Sequence, residues 1–172
     1  MTQRARKTRS VEAAKLGEPI SAKDCIMAIT LAQATNHLIE VSNKTVVALT
    51  ASRVVYFAHM LHMGETEGGL LVSDRFFAMP TGPGTPEMQL QLSKRGQAPL
   101  RYPFAAAPFK IGREGDAIAK AWSIMKDMSP ERIIHEVQRE KTAFARTYER
   151  NRVAAMSDRS IMEEFLFLHD DS

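Results

Sequence analysis

The sequence predicts a mainly α protein, a compact bundle of five or six helices with one short β-hairpin. Three observations predict it. Apolar residues recur at helical spacing along most of the chain, as with Val54, Phe57, Ala58 and Leu61 at i, i+3, i+4 and i+7. The runs Thr85-Pro86-Glu87 and Ser129-Pro130-Glu131 each combine a capping hydroxyl, a proline at the first helical position and an early carboxylate. Strand signals gather in one short stretch after Gly68-Gly69.

Taken in order, Ser21 with Asp24 opens a helix of about 20 residues through Ile26, Ile29, Leu38 and Val41, broken at Asn43 and Lys44. Thr50 or Ser52 caps a second helix that runs to about Met63 and is ended by Gly64. Leu70-Leu71-Val72 and Phe76-Phe77-Ala78-Met79 read as two strands joined at Asp74-Arg75, and Pro80 to Gly84 as a rigid turn. The helix from Thr85 carries Met88, Leu90 and Leu92 and stops near Gly96. Residues 96–115, rich in proline and alanine, read as a loop packed on the surface. Asp116 starts a helix through Ile118, Ala121, Trp122 and Met125. Ser129 starts a long one with Ile133, Ile134, Val137 and Phe144, and Ser157-Asp158 cap a last one with Ile161, Met162, Phe165 and Leu166. No internal repeat is visible.

The chain of 172 residues suits one domain, and 44% hydrophobic with 25% charged residues is the balance of a folded globular protein. Its one cysteine, Cys25, excludes an internal disulfide and a cysteine-based zinc cage, and reads as a small buried side chain. No apolar run approaches the roughly 18–20 residues that span a bilayer, and the basic start lacks a signal-peptide core. A soluble, cytoplasmic protein is the expectation. Positive charge is concentrated at one end: Arg4, Arg6, Lys7, Arg9 and Lys15 stand against Glu12, while the rest is close to neutral. Residues 1–19 are therefore expected to form a mobile basic tail, 20–168 the folded domain and 169–172 an acidic C-terminal end.

Enzyme signatures are weak. Thr81-Gly82-Pro83-Gly84 lacks the lysine and hydroxyl of a phosphate loop, and its proline removes an amide donor. His59 and His62, three apart on a helix with Glu65 nearby, form an incomplete metal set, more readily read as structural. No local Ser-His-Asp arrangement appears. The expectation is a non-enzyme without cofactor or metal.

Arg53-Val54-Val55-Tyr56-Phe57-Ala58-His59 resembles the lysine-leucine-leucine-tyrosine-phenylalanine-alanine-histidine stretch of the SocA-like antitoxin family, also called the Panacea domain. Phe77-Ala78 and Thr81-Gly82-Pro83 resemble that family's alanine-tryptophan and tyrosine-glycine-proline segment. Ser129-Pro130-Glu131 with Ile133 resembles one of its helix starts, and Ile161 to Phe165 its terminal helix. The similarity covers roughly residues 22–168. Thr81 and Met79 stand where the family has tyrosine and tryptophan, and Gln138 and Phe144 where it has histidine and tryptophan, which marks a divergent member.

The resemblance implies an antitoxin that binds a cognate protein toxin, with some members resembling proteolytic adaptors that deliver the toxin to an AAA+ protease such as ClpXP. On that reading Phe76, Phe77, Gly82 and Pro83 form the partner-binding surface, supported by Tyr56 and His59, because aromatic side chains beside rigid turns make good interface anchors. Arg4, Arg6, Lys7 and Arg9 form a tail that docks on the protease or on an acidic partner. The alternative is a DNA-binding regulator or phage-associated accessory protein whose tail contacts phosphate.

Overall fold

The structure is a computed structural model that describes residues 27–149 and 152–170. The expected tail, the cap at Ser21 and Cys25 lie outside the described residues.

Among them are seven helices and a small three-stranded antiparallel sheet: a mainly α fold with a minor β component. The helices are α1 (Leu31–Val41), α2 (Ala48–Glu65), α3 (Pro86–Ser93), α4 (Arg113–Met125), α5 (Pro130–Gln138), α6 (Ala143–Thr147) and α7 (Asp158–Asp170). The strands are β1 (Phe77–Met79), β2 (Gly82–Gly84) and β3 (Ala154–Ala155), in the order β2-β1-β3. No helix among the described residues is long and apolar enough to cross a membrane.

The centre of the molecule is α2, which packs against α1, α3, α4, α5, α7 and β2. Neighbours on most sides leave little of it exposed, chiefly Leu49 near its start and Glu65 at its end. Ala51, Val54, Val55, Tyr56, Ala58 and Met60 are all fully enclosed. Burying a large side chain of this kind contributes about 1.5–3 kcal/mol, so α2 is held by packing rather than by its unremarkable caps. It starts at Ala48, earlier than Thr50 or Ser52, because Thr50 Oγ1 bonds back to Val47 O and Ser52 Oγ accepts from Gln89 on α3. Gly64 does not end it. The residue sits inside the last turn, where an added Cβ would lie 2.1 Å from the Phe165 ring of α7, so the glycine permits close helix contact.

Other boundaries depart from the sequence reading for tertiary reasons. The first helix starts at Leu31. Thr30 and Gln33 form a reciprocal capping box, and Asp74 accepts a further bond from Leu31 N at 2.7 Å. Just before it, Ile29 is extended and bonded to Leu71 and Ser73. That pairing uses the backbone expected to form the first hairpin strand. The hairpin instead joins β1 to β2 across Pro80-Thr81, in the register Phe77 with Gly84 and Met79 with Gly82. The segment expected to be a rigid turn therefore supplies a strand, with Gly82 in the left-handed region at φ 112°.

Helix α4 begins at Arg113, not Asp116. The long helix expected from Ser129 to Phe144 is two: Arg139 is extended, Lys141 has φ 70°, and Thr142 caps α6. The expected caps Thr85 and Ser129 accept bonds from Met88 N and Arg132 N. At the C-terminal end, His169 and Asp170 belong to α7.

Candidate functional site

The break between α5 and α6 has a structural consequence. A helix start leaves backbone donors without intrahelical partners, and Ala143 N, freed in this way, donates to Glu164 Oε2 at 2.8 Å. Tyr56 Oη donates to the same oxygen at 2.6 Å. Glu164 is only 4% exposed. Burial pushes its carboxyl up from the usual range, against the two hydrogen bonds and the charges of Arg146 and Arg139. Tyr56, wholly enclosed, is pushed well up by burial and by the adjacent carboxylate.

Around Tyr56 the sequence-predicted partner residues assemble, but as interior. The Phe76 ring meets Tyr56 edge-on at 5.4 Å and His59 at 5.1 Å. His59 Nδ1 accepts from Val72 N at 3.1 Å, which places the proton of the neutral ring on Nε2. Burial, with help from His62, pulls His59 down to about 4. Gly82 and Pro83 are buried as well. A side chain at Gly82 would meet the Arg53 guanidinium, which donates to Leu49 O and, at 2.6 Å, to Thr81 O. Burial lowers Arg53 to about 10, so it stays charged near neutrality.

The expected partner surface is thereby corrected. Tyr56, His59, Phe76, Gly82 and Pro83 are closed off from solvent, whereas Phe77 is half-buried. Phe76 is held inward because the Tyr56 and His59 rings of α2 pack against it just before the strand begins. The tail residues Arg4, Arg6, Lys7 and Arg9 lie outside the described residues. Glu65 pairs with Lys120 rather than with either histidine. Among the described residues no group of three histidine, cysteine, aspartate or glutamate side chains is placed to hold a metal ion.

A different place is open. Between α2, α4, α5 and α7 lies a cavity of about 260 Å³. Phe57, Leu61, Met125, Met128 and Val137 form its apolar walls, and Ile124 at its margin is 43% exposed. The polar groups lining it are Glu136, Arg139, Glu164 and His169. Glu136 is neutralised by Arg132 at 2.7 Å and Arg139 at 3.7 Å. The sequence reading passed over Glu164. Its signal was present: with Ile161, Phe165 and Leu168 it occupies one helical stripe, and an acid inside an apolar stripe asks for a buried partner.

Such an arrangement accepts an apolar group that carries one hydrogen-bonding head. A second cleft, of about 300 Å³ between α1 and α3, is more polar; its Asp74 and Gln33 are already bonded to Leu31 N and to Thr30 N and Ala107 O. No family model matches the chain, and neither a curated protein nor a solved structure matches it.

Proposed function

We propose that this chain is a protein-binding module that acts as an antitoxin: it neutralises a cognate protein toxin by direct contact, in the manner of the SocA-like family its second helix resembles. The observation that carries the reading is the apolar cavity between α2, α4, α5 and α7, open beside the exposed Ile124. Partner recognition uses pockets of this kind, filled by a few anchoring side chains. The toxin is then passed to an AAA+ protease such as ClpXP, with the basic N-terminal residues making the protease contact in the cytoplasm.

Co-purification of the full chain with the product of the neighbouring gene tests the first step. A complex that survives gel filtration at micromolar concentration is expected. Failure to form any complex removes the reading.

A further inference from the structure

A smaller cavity, of about 130 Å³, lies where α2 meets the segment 70–76 and the first turn of α7. His59 lines it, with Phe76 and Ile161 as apolar walls. His59 is only 2% exposed, and its Nδ1 accepts from Val72 N, so the proton of the neutral ring sits on Nε2. Nε2 has no acceptor among the described residues. The wholly buried side-chain atoms without a partner among those residues are Arg53 Nε and His62 Nε2. His59 Nε2 is not one of them, so its N–H opens on the cavity that the ring lines. Burial holds the ring near 4, which keeps this single donor in place at neutral pH.

The charged groups on the lining are Asp74, Arg75 and Asp158. Asp74 accepts from Leu31 N, and the Ser73 hydroxyl donates to Ile29 O. The Asp158 carboxylate, at the start of α7, has no hydrogen-bond or ion-pair partner among the described residues. These groups sort the heads that fit. An ammonium cannot accept from His59. A carboxylate can, but it meets two like charges against one guanidinium. A primary carboxamide accepts through its oxygen and donates through its nitrogen.

We propose that this cavity is a binding site for a primary carboxamide, its oxygen accepting from His59 Nε2 and its amino group donating to the Asp158 carboxylate. The attached carbon chain lies on Phe76 and Ile161. About 130 Å³ is well below the roughly 300–1,000 Å³ of a site for a drug-sized ligand, so the cavity takes an end group or a very small amide. The site is independent of toxin binding, because a glutamine or asparagine side chain and a free small amide present the same head.

The test uses the full chain, isotopically labelled at its histidine nitrogens, and reads the His59 Nε2–H resonance. Propionamide is titrated beside butan-2-one, which lacks the donor, propionate, which carries a charge, and propan-1-ol. Propionamide is expected to move the resonance with affinity about tenfold or more above each of the others, the worth of a charge-assisted hydrogen bond. Asp158→Ala, a change at an exposed position, should bring propionamide down to the level of butan-2-one. A His59 signal unmoved by propionamide, or equal or tighter binding of the ketone, the alcohol or propionate, overturns the site. A preference for the amide that survives in Asp158→Ala overturns the Asp158 contact. A blocked tripeptide with a central glutamine then names the source: binding tighter than propionamide assigns the group to a polypeptide, and weaker binding assigns it to a small amide, the carboxamide site being supported in both cases.

Discussion

Tyr56 Oη donates to Glu164 Oε2 at 2.6 Å across 108 positions of sequence, joining the central helix to the last one. The bond is buried at both ends. Tyr56→Phe keeps the ring against Phe76 and removes only the donor. Stability should fall by about 1.5–3 kcal/mol, the range for hydrogen bonds to charged groups. Urea unfolding with an unchanged slope checks this. A loss below about 0.5 kcal/mol would mean that the pair contributes little net stabilisation.

Acid should unfold the protein through His59. Its folded value of about 4 lies below the ordinary 6.5, so the folded state favours the neutral ring. As pH falls below about 6.5 the unfolded chain gains this proton first, and stability drops until about pH 4, by roughly 3 kcal/mol in all. His62 and His37, also lowered by burial, act in the same direction. Glu164 acts oppositely. Its raised folded value gives a contribution complete below the ordinary 4.5 and lost as pH rises through the folded value. Glu164→Gln should therefore steepen the loss of stability between pH 6.5 and 4.5, and His59→Asn should flatten it. Denaturation midpoints measured across that window decide both; parallel curves for all three chains would contradict the assignment.

Gly64→Ala should destabilise even though alanine favours a helix by about 1 kcal/mol over glycine. The new Cβ would lie 2.1 Å from Phe165 Cγ, near the base of the ring rather than at its tip. A cost of about 1–3 kcal/mol is expected for overpacking of this kind. Combining it with Phe165→Ala should give a clearly less-than-additive loss in thermal unfolding, the mark of a direct contact.

Where local chemistry decides, the sequence was a good guide. Thr85-Pro86 and Ser129-Pro130 carry their own caps and both start helices where expected. Where a distant residue decides, it was not. Asp74 helps to fix the start of α1, and Ile29 takes the backbone partners of Leu71 and Ser73 that a local hairpin would have used. The α5–α6 break is stabilised in part by Glu164, reached only through the fold. In the sequence Phe76 stands close to turn residues, the setting of an interface anchor; in space its neighbours are Tyr56 and His59, and they enclose it. The cavity was not legible because its lining is gathered from four helices far apart in sequence.

If the chain also delivers its partner to a protease, the two steps separate. Removing residues 1–15 should leave toxin binding unchanged and slow toxin degradation in a reconstituted reaction. Identical degradation with and without these residues would remove the adaptor step and leave neutralisation by binding.

Growth of host cells is the most direct measurement. The neighbouring gene is induced alone, with this chain, or with its Ile124→Trp variant at matched protein level. The account predicts arrest in the first case, growth in the second and arrest again in the third. Arrest in the presence of the native chain, or no arrest by the neighbour alone, would contradict it.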